Sequence, residues 1–161
     1  SAVHFPVPAF FDYVETKNAL VRERSIRRVL DVIDSCDLVV FGVGAMDPAM
    51  PSHVYAGGYL SSTELKEARE DGVVGDICTV LIREDGTTDM PLNARASGPL
   101  PAQLKRISTR LCVVAGSANV PAPLGALRAG VVTDLIIDSS AARALVHRRR
   151  EAGRGDLPGT L

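Results

Sequence analysis

The sequence predicts an α/β protein with a mostly parallel sheet flanked by helices. Two observations carry that prediction. Four short apolar runs, at residues 37–42, 77–82, 111–116 and 135–138, are rich in Val, Ile and Leu. They lack the alternation of a half-exposed strand and are expected to be buried on both faces. Stretches with helical spacing lie between them, and strands that alternate with helices assemble into parallel sheets. A third observation bounds the size: 161 residues with 46% hydrophobic and 23% charged side chains fit one ordinary globular domain. Aromatic residues are only 4% and Trp is absent, so the core is expected to be aliphatic.

The elements follow in order. His4 to Phe11 carries Pro6 and Pro8 and reads as extended. From about residue 16 to 35, Ala19, Leu20, Ile26, Val29, Leu30 and Ile33 recur at spacings of three and four with Arg and Glu between them, which predicts a helix with one apolar face. The strand at 37–42 leads into a long loop, 43–58, that holds Pro48, Pro51, Gly57 and Gly58. Ser61-Ser62-Thr63-Glu64 is a capping-box pattern opening a short helix through Arg69, and Asp71-Gly72 ends it. The run 77–82 reads as a strand followed by the turn Glu84-Asp85-Gly86, and the region 71–100 has room for an antiparallel hairpin. Residues 87–101 read as irregular, and 101–107 as a short helix with Pro in its first turn. After the strand at 111–116 comes a helix at 124–129 closed by Gly130. The strand at 135–138 precedes a helix at 139–149 capped by Ser139 or Ser140. The Gly-rich end from Glu151 is expected to fray, so residues 1–150 form the domain and 151–161 a tail.

Charge and cysteine content narrow the function. Eighteen basic against nineteen acidic residues give a net charge of -1, which argues against a nucleic-acid-binding surface on this chain but not on an attached domain. The cluster His147-Arg148-Arg149-Arg150 is read as a solvated helix end. No apolar run approaches the ~20 residues of a membrane span. No signal-peptide pattern is visible, and the start at Ser1 without Met is expected of a trimmed piece. Cys36, Cys78 and Cys112 are an odd number at wide spacings, without CxxC, so neither a disulfide framework nor a zinc site is expected. A cytoplasmic setting fits them, and no cofactor is expected.

In open parallel sheets ligands bind beyond the carboxyl ends of the strands. Gly42-Val43-Gly44-Ala45-Met46-Asp47 follows the first strand, Ala115-Gly116-Ser117-Ala118-Asn119 another, and Asp138-Ser139-Ser140 the last. These small polar segments leave backbone N–H groups open, and the helix starting near Ser139 points its N-terminus at the same rim, which favours an anion. Each has a plainer reading. Gly42-x-Gly44 lacks the third glycine of a dinucleotide loop, Gly116 can serve packing, and Asp138 can cap its helix. Asp76, after Val73-Val74-Gly75, binds hydroxyls or makes a local turn. Arg95 clamps an anion or stays solvated. Ser52-His53 lies in the long loop, where a lone His is usually incidental. Neither GxSxG nor HExxH occurs.

The order of segments is nevertheless distinctive: Glu23-Arg24-Ser25-Ile26-Arg27-Arg28-Val29-Leu30, the strand into Gly42-Val43-Gly44, Tyr55-Ala56-Gly57-Gly58-Tyr59-Leu60-Ser61, Val73-Val74-Gly75-Asp76, Asp85-Gly86, Leu92-Asn93-Ala94-Arg95, Val113-Val114-Ala115-Gly116, and Ile137-Asp138 with Ala141-Ala142-Arg143. Over nearly the whole chain this resembles the sugar-binding (effector) domain of SorC-family bacterial transcriptional regulators. The resemblance implies a Rossmann-like fold akin to sugar-phosphate isomerases and CoA transferases, N-terminally truncated here. It implies binding of a sugar, polyol or sugar-phosphate effector, no catalysis, a homodimer or homotetramer, and DNA contact only through an N-terminal helix-turn-helix domain absent from this chain. The alternative is an isomerase or CoA-transferase-like enzyme with Asp76 as general base.

Carried over residue by residue, the family's first glycine loop falls on Gly42 and Gly44. Its hydroxyl-binding acid falls on Asp76, its arginine on Arg95, its Gly-Gly segment on Gly116 and Ser117, and its strand-ending acid on Asp138. Asp47, Ser52 and His53 complete the expected ligand set. The family's lysine after the Gly-Gly pair falls near Val120, a basic residue of the first loop falls near Ser52 or His53, and the Gly-Thr-rich phosphate loop is missing. Two lost positive groups favour an unphosphorylated sugar or polyol. One branch of the family holds its ligand through a lysine Schiff base, and none of Lys17, Lys66 and Lys105 aligns with that role.

Overall fold

Strands β1 (Leu38–Ala45), β2 (Val73–Ile77), β3 (Val80–Arg83), β4 (Thr109–Val114) and β5 (Asp134–Ile137) form one sheet in the order β3-β2-β1-β4-β5. The structure is a computed structural model and describes residues 2–47, 52–116 and 120–155. β1, β4 and β5 run parallel, with Val40 beside Leu111, Gly42 beside Val113, and Val113 beside Ile136. β2 and β3 form an antiparallel hairpin whose first strand pairs with the last residues of β1.

The expected single strand at 77–82 is two strands folded at Cys78-Thr79. Both turn residues take left-handed backbone, with φ of 49° and 73°. A two-residue hairpin loop demands such angles and normally draws Asn or Gly. Here neighbouring groups hold the turn. The Thr79 N–H donates to the Asp76 carboxylate at 3.2 Å, and the Gly98 N–H donates to the Thr79 hydroxyl at 3.0 Å.

The predicted helix at 16–35 is also two: α1 (Val14–Leu20) and α2 (Arg24–Asp34), separated where Glu23 takes extended backbone. α3 (His53–Ala56) lies inside the stretch expected as a loop, and β1 itself continues to Ala45. α4 (Ser62–Glu70) carries the expected capping box: the Glu64 N–H donates to the Ser61 hydroxyl at 3.2 Å, and the Ser61 N–H donates to the Glu64 carboxylate at 2.7 Å. A 3-10 turn (Pro91–Arg95) and α5 (Pro101–Leu104) follow, then α6 (Pro121–Arg128) and α7 (Ser139–Gly155). The cap of α7 is Asp138, not Ser139 or Ser140, and the helix runs on into the stretch expected as a tail.

Two apolar clusters sit on the two faces of the sheet. On one face Phe41, Ile77, Ile82, Cys112 and Val114 pack with Leu104, Ala126 and Ala141, which brings α5, α6 and α7 onto that side. On the other face Leu81 packs with Phe10, Tyr55, Leu60, Ala68 and Met90, covering the hairpin. The parallel strands have no such second cover among the described residues. Leu38, Val40, Val113 and Ile136 are 52%, 59%, 42% and 57% exposed. The expectation of burial on both faces therefore fails for β1, β4 and β5. The physical reason lies in where the described helices pack: α6, between β4 and β5, and α7, after β5, both contribute to the cluster on the same side of the sheet. Among the described residues no helix is long and apolar enough to cross a membrane.

Candidate functional site

Asp76 lies on β2 directly across from Gly44 of β1 and from Leu81 of β3, so its side chain shares their face of the sheet. The glycine is what makes room for it. A Cβ at position 44 would overlap Asp76 Oδ1 and stand 2.8 Å from Ser52 Oγ. Gly75 serves the opposite face, where a Cβ would overlap the Gly44 carbonyl oxygen and press on Ala122 of α6 at 2.5 Å. The Gly75-Asp76 pair thus seats β2 between α6 and β1 while turning a carboxylate the other way.

That carboxylate is only 6% exposed. Ser52 Oγ donates to Oδ1 at 3.1 Å and the Thr79 N–H donates to Oδ2. Burial raises the Asp76 pKa above the ordinary carboxylate range, and the hydrogen bonds offset part of that rise. Tyr55, on α3, is buried beside it. Its hydroxyl is near enough to influence the carboxylate yet makes no hydrogen bond of good geometry. Burial first, and then the negative Asp76, push the phenol pKa strongly up, so Tyr55 keeps its proton. Burial and Asp76 also push the Cys78 thiol up to about 11. A buried carboxylate, a serine hydroxyl and a phenol hydroxyl make a small polar cluster suited to exchanging hydrogen bonds with hydroxyl groups.

A second pair forms at the ends of β4 and β5. The Gly116 N–H donates to Asp138 Oδ2 at 2.6 Å, while Oδ1 accepts from the Ser140 N–H and the Ala141 N–H, each at 2.8 Å, and from the Ser140 hydroxyl at 2.6 Å. These bonds, led by the Ser140 hydroxyl, hold the Asp138 carboxyl far below the usual range.

Arg95 sits elsewhere, at the end of the 3-10 turn. Its guanidinium pairs with Glu64 of α4 and donates to the Asp12 carbonyl at 3.2 Å, leaving only Nε buried and without a partner. Gly42 is exposed on β1, two residues before Gly44 on the same face, and Asp47 is half-buried just past the strand. His53 is exposed at the start of α3, its ring edge-on to Tyr59 with centroids 5.7 Å apart. Ser117 lies outside the described residues. The structure thus brings Gly44, Ser52 and Asp76 together, joins Gly116 to Asp138, and ties Arg95 to Glu64.

Sequence reasoning missed Tyr55, Thr79 and Glu64. Tyr55 stands three residues after Ser52, the helical spacing that places both on one side of a turn. A groove of about 370 Å³ lined by Lys17, Leu30, Ile33, Leu100 and Ile107 includes none of the Asp76 cluster. Its cations are engaged: Lys17 Nζ donates to the Ala94 carbonyl at 3.0 Å, and Arg106 pairs with Asp34 at 3.2 Å. Among the described residues no three His, Cys, Asp or Glu side chains gather as a metal would need.

Comparison with known proteins shows the family to which the chain and its fold belong. Residues 1–147 match the family described as "Putative sugar-binding domain". The transcriptional regulator YjhU of Escherichia coli K12, itself uncharacterised, is 34% identical over 145 residues, which span 87% of this chain and 42% of that protein. The deoxyribonucleoside regulator of Bacillus subtilis 168 is 30% identical over 146 residues, 89% of this chain and 45% of that one. The chain thus spans less than half the length of these relatives. The crystal structure of a domain of a possible sugar-binding transcriptional regulator from Arthrobacter aurescens TC1 superposes with a TM-score of 0.79 and 45% identity, covering 88% of this chain and 54% of that one. The match across residues 1–147, with the shared fold, agrees with the resemblance read from the order of segments, and the chain belongs to the sugar-binding-domain family found in bacterial transcriptional regulators.

Proposed function

We propose that this chain is part of the effector-sensing domain of a bacterial transcription regulator and that Asp76, Ser52 and Tyr55 bind the hydroxyl groups of an uncharged sugar or polyol. The observation that carries the reading is the buried Asp76 carboxylate opposite Gly44, with the Ser52 and Tyr55 hydroxyls gathered beside it. The choice of an uncharged ligand rests on the two groups expected to receive an anion. Both are taken: the N-terminus of α7 is capped by the Asp138 carboxylate, and Arg95 is paired with Glu64. The family name and the name of the Bacillus relative, a deoxyribonucleoside regulator, point to hydroxyl-rich small molecules as well. Control of DNA binding would pass through a helix-turn-helix domain outside these residues, in a homodimer or homotetramer.

Calorimetric titration of the full-length protein with matched sugars, polyols and their phosphate esters tests this. An uncharged member is expected to bind, with its phosphate ester no tighter. Asp76→Asn is expected to weaken binding by about ten- to a hundredfold, the loss of one or two hydrogen bonds to a charged acceptor. Tighter binding of the phosphate ester, or unchanged affinity in Asp76→Asn, overturns the proposal.

A further inference from the structure

We propose, on the reading of Asp76 as the hydroxyl-binding acid, that Thr79 is the positioning residue of that site: its backbone N–H aims the carboxylate, and its hydroxyl fastens the hairpin turn to residues 96–98. The turn itself is the first observation. Cys78 and Thr79 hold φ of 49° and 73°. Such angles suit glycine, and a β-branched side chain there crowds its own backbone. A glycine at 79 would relieve that strain but would carry no hydroxyl. Strained backbone persists where its surroundings over-determine it, and it gathers at functional sites.

The surroundings of Thr79 are specific. Its N–H donates to Asp76 Oδ2 at 3.2 Å, and Ser52 Oγ donates to Oδ1 at 3.1 Å, so the two carboxylate oxygens are held from two different parts of the chain. On the other side the Gly98 N–H donates to Thr79 Oγ1 at 3.0 Å. Gly98 lies so close to the turn that a Cβ on it would overlap the Cys78 carbonyl oxygen. The segment around Gly98 is anchored in turn. The Ser97 N–H donates to the Ala9 carbonyl and the Phe11 N–H to the Arg95 carbonyl, each at 3.0 Å, and Ala96 bridges Phe10. Residues 97–100 also form one wall of the groove against α1 and α2. A run of hydrogen bonds thus leads from the Asp76 carboxylate through Thr79 and Gly98 to the stretch that enters α1. A hydroxyl group that donates to Oδ2 competes with the Thr79 N–H, and the turn and residues 96–98 loosen together.

Hydrogen exchange in the full-length protein, without sugar, tests this at single amides. Asp76→Ala removes the acceptor of the Thr79 N–H and touches no atom of the Gly98 bond. It is expected to speed exchange at the Gly98 amide by about tenfold, while the Glu64 amide in the α4 capping box keeps its rate. An unchanged Gly98 rate overturns the proposal, and so does an equal rise at Gly98 and Glu64, which is a global loss of stability. The reverse direction uses Asp76 as the reporter, through a pH titration of its carboxyl carbon by NMR with labelled aspartate. Burial raises the Asp76 pKa, and the bonds from Ser52 and the Thr79 N–H oppose that rise. Its titratable neighbours, Tyr55 and Cys78, are both pushed up and stay protonated while it titrates. Thr79→Val keeps the branched shape without the hydroxyl and is expected to move the midpoint further up by about half a pH unit or more, with Thr79→Ser restoring it. No shift in Thr79→Val, or a shift that Thr79→Ser does not reverse, overturns the proposal. Neither measurement needs a ligand. The positioning role can therefore fail while calorimetry still finds a sugar bound, and calorimetry can fail while Thr79 still holds Asp76.

Discussion

The hairpin half of the sheet and the parallel half are built from similar apolar residues and end up in opposite surroundings. Leu81 and Ile82 of β3 are fully buried, one on each face, whereas Val40 of β1 and Ile136 of β5 face open space on one side. The difference comes from connectivity, not composition. The hairpin is enclosed by α3, α4 and the 3-10 turn on one face and by α6 on the other. Among the described residues the parallel strands have helices on one face only. Asp76 and Gly44 sit at the border between the halves, which sets a polar site where the covered region stops.

The comparison can be broken by truncating one residue from each half. Leu81→Ala is expected to cost about 2–5 kcal/mol, the usual range for a large-to-small change in a packed core. Val40→Ala in the 161-residue chain is expected to stay within about 0.5 kcal/mol, as exposed substitutions do. Urea denaturation of both variants measures this, and equal losses would show that the parallel half is covered after all.

At the border, Gly44→Ala is expected to cost about 1–3 kcal/mol through overpacking and to abolish effector binding, because the new methyl group takes the space of the Asp76 carboxylate. Denaturation and calorimetry separate the two effects. A smaller loss is expected within the covered half, where Ser61→Ala removes the capping box of α4 for about 1 kcal/mol.

The smallest effect is expected in the parallel half, at exposed Asp138. Its pKa is depressed in the folded state, so the stabilisation it gives is present above the ordinary value of 3.8 and is lost as pH falls below it. Asp138→Asn is expected to lower the thermal midpoint at pH 7 and to flatten the fall in midpoint on acidification, with the two proteins converging in acid. Parallel curves for the two would show that the Gly116 and α7 contacts do not depend on charge.

Much of the fold was legible in the residues, and what was not has identifiable causes. The apolar runs at 37–42, 111–116 and 135–138 each mark one strand, because continuous Val, Ile and Leu leave few alternatives to a sheet, whereas the run at 77–82 is split between β2 and β3. The Ser61 to Glu64 box fixed the start of α4 through purely local bonds. The turn at Cys78-Thr79 was invisible, since neither residue favours left-handed backbone and the contacts from Asp76 and Gly98 that hold it are tertiary. Arg95 looked available as an anion clamp because Glu64, its partner, lies 31 positions away in the chain. Tyr55 heads one of the distinctive segments, but inside a stretch read as loop nothing marks its side chain as a neighbour of Asp76. The nearness of Gly44, Ser52 and Asp76 depends on strand register, and individual residue types do not state register.

The Gly44–Asp76 pair also has a consequence for anyone building variant libraries from this chain: the two positions behave as a single locus. A methyl group at 44 and a carboxylate at 76 compete for one volume, so their effects will not add. Shortening residue 76 to alanine should largely rescue folding in Gly44→Ala, and scans that change one position at a time will misjudge both.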